Sequence, residues 1–324
     1  MTLVIEDDQG YSWPGRRAMF SINIFLGLTF IVLHCQMISV ILQTSSLRSM
    51  IGYRFMVHIC IVDIINSITQ VIAQAATMNS PEMNIDINSI NGALFQGSWA
   101  ADYPMILVIA VDRLLSVVAP FHVEKFFDAR SSLLYIALCW IFGSFNFVAC
   151  LSTQVHCLWD ASLPSFGFYG HSSLANVLNF VDFYFAEVVL VSSAASYVAI
   201  FVFLFRKRRL VSTSHHEFPL LMNFLCIFGV TGISLYLWHR PASNSAIYRQ
   251  LLQTIIVIRF GMPPLAALLI NRPIRSRFFR LRQKGFVATS HSIPTHVNTP
   301  SRRFFAFRSV VHKSVPEAPN PIKF

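Results

Sequence analysis

The sequence predicts an all-α membrane protein, a seven-transmembrane helix bundle with a short amphipathic eighth helix. Hydrophobic residues make up 54% of the 324 residues and charged residues only 12%, whereas soluble domains carry about 25% charged residues. The apolar residues fall into runs of about 20, the length of helix that crosses a bilayer core of roughly 30 Å. Basic residues are concentrated between and after these runs, as they are at a membrane surface.

Seven apolar runs fit transmembrane helices. In chain order, we predict these helices at residues 19–42, 53–77, 92–117, 132–152, 178–205, 218–238 and 248–271. The last two runs are the least regular: Arg259 interrupts the seventh, and the pair Pro263-Pro264 could break it. The basic stretch after it predicts a short helix in the membrane interface, because its apolar residues share one helical face: Ile274, Phe278, Phe279 and Leu281.

The distribution of basic residues predicts the orientation of the chain. Four consecutive basic residues, 206–209, follow helix five, and the segment after helix seven is also basic. Because cytoplasmic loops carry an excess of Lys and Arg, we expect an extracellular N-terminus at 1–18 and a helical domain with its amphipathic helix at 19–285. Residues 286–324, rich in Ser, Thr, Pro and basic residues, predict a disordered cytoplasmic tail. The acidic start MTLVIEDDQG predicts no cleavable signal peptide.

Composition and motifs also disfavour several classes of function. The net charge of +10 raises the question of nucleic acid, but the basic residues border apolar runs, so we predict the lipid bilayer as partner and no nucleic acid. Most of the six cysteines lie inside apolar runs and none forms a C-x-x-C pair, so we predict no metal and no cofactor. Without an H-E-x-x-H or G-x-S-x-G motif, the sequence predicts no enzyme and no catalytic residues.

The segment VDRLLSVVAPFH, residues 111–122, lies at the end of the third apolar run. Asp112 and Arg113 are unexpected there, since charges within a membrane are costly unless they lie at an interface or have a function. One interpretation is a charged pair that simply ends the helix at the membrane surface. The other is a resemblance: D-R-L-L-S-V-V-A-P-F resembles the DRY-x-x-I-x-x-P-L signature of rhodopsin-like G-protein-coupled receptors, with matching spacing from Asp112 to Pro120.

Other segments resemble the same receptor family in the same order. Trp140 lies 27 residues beyond Arg113, where the family has its helix-four tryptophan, and Asp63 resembles the helix-two aspartate. The segment PPLAALLINRPIR resembles the N-P-x-x-Y segment of helix seven, with Pro263-Pro264 in place of Asn-Pro and Ala267 in place of the tyrosine. The resemblance covers about residues 19–285.

The departures from the family pattern point to one branch of it. Helix three lacks the cysteine that normally pairs with a loop cysteine such as Cys157, for which Cys150 is a local substitute left open by the sequence. Helices five and six lack prolines, the third cytoplasmic loop is short, and the helical body is rich in Phe. These features are most similar to the nematode serpentine chemoreceptors.

The resemblance implies a switch at the cytoplasmic end. Arg113 would be held by acids in the inactive state and released towards a G protein in the active state. Its partners would be Asp112 and, across the bundle, Glu217 at the start of helix six. The alternative for Glu217 is a solvated charge beside His215 and His216.

A buried polar cluster is expected in the bundle centre. Asp63, Asp102 and Arg259 match family positions that line the interior sodium pocket, and Asp102 lies about three helical turns before Arg113. A permanent cation in this place would pair with the carboxylates, because a buried unpaired charge is far costlier than a paired one. The alternative is that Asp102 or Arg259 lies nearer a helix end and extends to water.

The family positions that contact ligands fall on mostly aromatic and apolar residues here: Phe95, Gln96, Trp99, Asp182, Tyr236, Trp238 and Gln253. Such a pocket suits a small, weakly polar molecule. The alternative for each aromatic is helix packing or an interfacial belt, and for Trp238 we favour the belt.

Taken together, the resemblance implies a chemosensory G-protein-coupled receptor active in olfaction. Its partners would be a small-molecule ligand and a heterotrimeric G protein, and its location the plasma membrane, with the sensory cilium as one site within it. The alternative function is a membrane transporter or channel with a charged intramembrane site. We see no duplicated halves of the kind that many transporters have.

Overall fold

The computed structural model describes residues 13–78, 83–161, 164–170, 172–206, 217–239, 246–272 and 274–279. Several sequence-based predictions lie outside these residues. They are the acidic start of the chain, the basic residues 207–209, Leu281 and the tail at 286–324.

Seven long helices confirm the predicted bundle. They are α1 (Trp13–Gln43), α3 (Ile51–Ala76), α4 (Ile85–Val118), α6 (Ala129–Cys150), α7 (Ser173–Arg206), α8 (Glu217–His239) and α9 (Ala246–Ile270). Six of them are long and apolar enough to cross a membrane by length and composition. The seventh, α4, carries charged and small polar residues and packs against α3, α6 and α7. Its polar character fits a helix that neighbouring helices surround.

Helix α4 begins at Ile85, well before the predicted residue 92, because its N-terminus has a side-chain cap. The Asn84 carboxamide oxygen accepts hydrogen bonds from the backbone N–H groups of Asp86 and Ile87, at 3.0 and 3.2 Å. An N-cap satisfies donors that have no partner within the helix. The apolar run alone therefore misses residues 85–91, which form the polar first part of the helix.

Four short elements are absent from the sequence-based prediction: α2 (Ser45–Arg48), α5 (Pro120–Phe126), β1 (His156–Asp160) and β2 (Ser165–Tyr169). Pro120 begins α5 directly after α4 has ended, because proline has no N–H to donate and suits the first turn of a helix. The two strands form an antiparallel hairpin in which Trp159 faces Phe166. This hairpin lies against α4.

Helix α9 is continuous through Pro263 and Pro264. The break that the sequence allowed at this pair is therefore wrong. After α9, residues 274–279 are helical, as predicted for the eighth helix. Ile274 is fully buried and Phe278 packs against the bundle, whereas Phe279 is exposed. Part of the apolar face of this short helix therefore contacts protein.

The two ends of the bundle have separate apolar clusters. The hairpin end, where β1 and β2 lie, has an aromatic cluster that includes Phe95, Trp99 and Trp159. The Arg113 end, where α4 ends, has a mostly aliphatic cluster around Ile59 and Ile109. Many large apolar side chains on the outside of the bundle are exposed, as expected where lipid rather than water surrounds the protein.

Candidate functional site

A cavity of about 120 Å³ lies at the hairpin end, between α4, α7, α8, α9 and the hairpin. Its lining includes five of the seven residues at family ligand-contacting positions: Phe95, Gln96, Trp99, Asp182 and Trp238. It also includes residues that the sequence did not indicate: Cys157, Phe166, Gly167, Phe168, Asn179 and Ile256. Five of its eleven lining residues are aromatic, and aromatic side chains with a few polar groups are typical of small-molecule sites.

The aromatic wall of the cavity is a stack that joins α4 to the hairpin. The rings of Phe95 and Phe166 stack with centroids 4.3 Å apart and planes 17° apart. Phe95 also stacks on Trp99, at 5.7 Å, and Phe166 meets the indole of Trp159 at 5.2 Å. Aromatic pairs at these separations are favourable beyond the area that they bury. The position of the hairpin therefore sets the shape of the cavity.

Asn88 on α4 fixes the hairpin by two hydrogen bonds to one residue. Its side-chain NH2 donates to the Trp159 carbonyl at 3.0 Å, and its side-chain oxygen accepts from the Trp159 N–H at 2.8 Å. The Trp159 indole N–H donates to the Thr77 hydroxyl at 3.2 Å. At Gly92 the hairpin backbone touches α4, since a Cβ there would lie only 1.8 Å from the Cys157 carbonyl oxygen. The hairpin is thus held to α3 and α4 without a covalent link.

We expect Asn88→Ala to loosen the hairpin, because it leaves the buried Trp159 N–H and carbonyl without their partner. A lost buried hydrogen bond costs about 1–3 kcal/mol, so amide exchange in residues 156–169 should speed up roughly tenfold in the purified protein. The matched control is Asn91→Ala, whose side chain donates to the Thr69 carbonyl at 3.0 Å, away from the hairpin. Unchanged exchange in Asn88→Ala would show that Asn88 does not hold the hairpin.

Asp182 on α7 is the acidic group of the cavity. The side-chain NH2 of Gln96 donates a hydrogen bond to the Asp182 carboxylate at 3.0 Å. Within the described residues, Gln96 is the hydrogen-bond partner of Asp182. Gln96 is buried, and Asp182 is partly buried. The polar pair links α4 to α7 across the cavity.

Of the predicted ligand-contacting residues Gln253, Tyr236 and Trp238, only Trp238 lines the cavity. Gln253 is buried one turn from Ile256 on α9, but it does not belong to the lining, and its side-chain NH2 has no hydrogen-bond partner among the described residues. Tyr236 is 52% exposed on α8 and also lies outside the lining. Trp238, for which an interfacial belt was expected, lines the cavity and is half-buried.

The three residues of the expected polar cluster are all buried. Arg259 forms an ion pair with Asp102, and its Nε–H donates to the Thr231 hydroxyl at 3.2 Å. The guanidinium carbon lies 4.7 Å from the centre of the Trp99 ring, in cation–π geometry. Since Asp102 is 1% and Arg259 4% exposed, neither side chain extends to water, and the alternative of snorkelling is wrong.

Asp63, on α3, is buried in the same helix interior. Its carboxylate lies 4.0 Å from Nε2 of His34, and the same His34 nitrogen donates to the Phe260 carbonyl at 2.7 Å. Arg259 also interacts electrostatically with Asp63. His34 was not among the sequence-based candidates, because only the packing of α1 against α3 and α9 brings it to the cluster.

At the other end of α4, Arg113 forms an ion pair with Asp112, the residue before it. Both side chains are buried, at 6% and 1% exposure. Arg113 also interacts electrostatically with Tyr197 of α7, which is buried in the cluster of that end. Glu217 begins α8, but its side chain lies outside what the structure describes, so its pairing with Arg113 stays a prediction.

About half of the chain matches the model of one protein family. The model of the family described as "Serpentine type 7TM GPCR chemoreceptor Srx" matches residues 55–218, about half of the chain, from within α3 to the start of α8. The protein is a member of this serpentine chemoreceptor family. Its residues 55–218 include the aromatic wall, the Asp102 carboxylate and the Asp112–Arg113 pair.

The fold of this serpentine receptor is similar to that of squid rhodopsin. The crystal structure of squid rhodopsin superposes with a TM-score of 0.70 at 11% sequence identity, covering 90% of this chain and 92% of the rhodopsin chain. At this identity the likeness shows the fold alone. The search of curated proteins gave no match.

Further side-chain hydrogen bonds join the helices of the serpentine receptor. The Trp140 indole N–H donates to Nδ1 of His58 at 3.2 Å and joins α6 to α3. The Asn271 side chain donates to the Tyr53 hydroxyl at 2.7 Å, and its oxygen accepts from the Ile274 N–H at 3.2 Å. These bonds link α9 and the following short helix to α3.

The cysteines of the serpentine receptor are all free thiols, among them the buried Cys150 and Cys157. The local disulfide that the sequence left open is therefore not formed in this structure. Within the described ranges, no group of three His, Cys, Asp or Glu side chains is arranged to hold a metal ion.

Proposed function

We propose that the protein detects a small molecule in the cavity at the hairpin end and activates a heterotrimeric G protein at the Arg113 end. The observation that carries this proposal is the course of α4. One continuous helix lines the cavity with Phe95, Gln96 and Trp99 and carries the buried Asp112–Arg113 pair near its other end. The membership in a chemoreceptor family supports the same function.

The polar interior of α4 connects the two ends in this proposal. From Trp99 to Arg113 the helix rises roughly 21 Å, at 1.5 Å per residue. Trp99 contacts both the cavity and the Arg259 guanidinium, and Arg259 is paired with Asp102. A ligand that shifts Trp99 would act on this pair, since packed cores tend to switch between discrete arrangements. Release of Arg113 from its acidic partner would then open the G-protein site.

The experiment is a screen of volatile small molecules in cells that express the receptor with a promiscuous G protein. We expect calcium responses to a subset of compounds, and none in cells that express the G protein alone. Surface staining of the receptor shows that it is available to each compound. Absence of any response at normal surface level would count against the function.

We further propose the plasma membrane, including the sensory cilium, as the location, with the N-terminus outside. The basic segments at 206–209 and after α9 support this orientation by the positive-inside rule. An epitope tag after residue 2 should stain in intact cells, and a tag after residue 324 only after permeabilisation. Staining of both tags under the same condition would contradict the seven-span topology.

A further inference from the structure

We infer that the ligand of the cavity is a small protonated amine and that Asp182 is its counter-ion. This inference rests on the proposed function, because it names the ligand class of the same site. It departs from the sequence-based expectation of a weakly polar ligand, because the ligand now has an apolar body with one cationic group.

Asp182 differs from the other aspartates of the helix interior. Asp102 is paired with Arg259, Asp112 with Arg113, and Asp63 lies beside His34. Asp182 instead has the neutral Gln96 amide as its partner within the described residues. A carboxylate away from bulk water is costly unless a cation compensates it. Within the described residues, Asp102 and Asp112 thus each have an arginine beside them, whereas no Lys or Arg pairs with Asp182.

The walls around Asp182 suit a cation that carries an apolar group. Phe95, Phe166, Phe168 and Trp238 line the same cavity. A cation within about 6 Å of an aromatic face is attracted to it by the ring quadrupole, and a carboxylate beside such rings adds a direct charge partner. Arg259, whose guanidinium carbon lies 4.7 Å from the centre of the Trp99 ring of this cavity, is itself paired with Asp102.

The volume of the cavity limits the size of the amine. At about 120 Å³ it is slightly smaller than the cavity of about 150 Å³ that is known to hold one benzene molecule. Primary alkylamines of about three to six carbons fit this volume. Their ammonium group has three donors, of which one can reach the carboxylate oxygen that Gln96 leaves open.

A neutral alcohol of the same shape is the competing ligand class, since it also donates a hydrogen bond. It would leave the carboxylate charge uncompensated. Because hydrogen bonds between charged groups are stronger than those with one neutral partner, an amine should bind at least about tenfold more tightly than the alcohol with the same carbon skeleton. This difference separates the two classes by experiment.

The test measures binding without a G protein. Purified full-length receptor in lipid nanodiscs is heated with straight and branched primary alkylamines of three to six carbons, and with the matching alcohols. 3-Methylbutan-1-amine and 3-methylbutan-1-ol form the central pair. We expect amines to raise the unfolding temperature of the wild type, and Asp182→Asn to weaken this binding at least about tenfold.

Asp160→Asn is the matched control. Asp160 is a carboxylate of the hairpin at the same end, but it does not belong to the cavity lining. This variant should bind amines like the wild type. The ordinary unfolding temperature of Asp182→Asn without ligand shows whether the variant is folded, and Asp182→Glu, which keeps the charge, should retain part of the amine binding.

The outcomes separate this inference from the proposed function. Equal stabilisation by amines and alcohols, amine binding that survives Asp182→Asn, or no stabilisation by any of the amines would each overturn the inference. If amines bind through Asp182 but do not stimulate G-protein turnover, the ligand class stands and the signalling function fails. If other compounds stimulate turnover and amines do not bind, the signalling function stands and the ligand class fails.

Discussion

Arg259→Leu is expected to remove most of the receptor from the cell surface, and adding Asp102→Ser is expected to restore it. Arg259 is the ion-pair partner of Asp102 in the interior, and both are almost fully buried. Loss of one partner of a buried pair leaves an uncompensated charge and costs roughly 3–5 kcal/mol. The double variant removes the surplus acid and leaves a small hydroxyl, so folding should recover.

Surface level in the wild type, both single variants and the double variant is the measurement. Arg272→Leu is the control, because Arg272 is an exposed arginine just beyond the end of α9. It should leave the surface level unchanged. Strictly additive losses, with a double variant no better than Arg259→Leu, would show that Asp102 and Arg259 do not stabilise the fold as a pair.

Arg113→Ala is expected to bring ligand-driven G-protein turnover down to background. Arg113 lies at the end of α4 opposite the cavity and is buried in a pair with Asp112. In the proposed mechanism, its guanidinium is the group that the active state offers to the G protein. The change leaves the buried Asp112 without this partner, and the uncompensated charge lowers stability and with it the surface level. Turnover should therefore be compared at matched surface levels.

Two further variants separate signalling from folding. Asp112→Asn/Arg113→Ala removes the surplus carboxylate as well, so it should reach the surface at the wild-type level and still not signal. Arg130→Ala changes an exposed arginine near the start of α6, at the same end of the bundle, and should signal normally. Normal ligand responses in Arg113→Ala would rule out the switch.

Most of the long helices were predictable from sequence, because a helix that crosses a membrane needs about 20 apolar residues. The predicted run at 53–77 corresponds to α3 at Ile51–Ala76, and the run at 248–271 to α9 at Ala246–Ile270. The pairing of Asp102 with Arg259 was also predictable. Charged side chains in the middle of apolar runs are costly to bury and are expected to pair with each other.

The hairpin and its attachment were not predictable in the same way. Its strands have only five residues each, and their positions depend on Asn88 and Trp159, which are 71 residues apart in the chain. The resemblance drew attention to a missing cysteine, but an asparagine at the start of α4 gave no comparable signal. Two amide hydrogen bonds can be recognised as the anchor only once the loop lies against the helix.

The role of His34 shows a similar limit. Its neighbours Asp63 and Phe260 lie on two other helices, and no pattern in α1 indicates which face of that helix turns inward. Tyr236 is the opposite case, because the family position predicted a ligand contact and the side chain is half exposed instead. The rotation of each helix follows from tertiary packing, which the apolar runs alone do not determine.

The central claim is that a ligand in the cavity at the hairpin end activates a G protein at the Arg113 end. Guanine-nucleotide exchange measures it most directly, with purified receptor in nanodiscs, purified heterotrimeric G proteins of several classes, and a compound that stabilises the receptor against heat. We predict that the compound accelerates exchange on at least one G protein with the wild type and not with Asp112→Asn/Arg113→Ala. A compound that binds the wild type but leaves exchange unchanged on every class, or accelerates it equally with the variant, would contradict the claim.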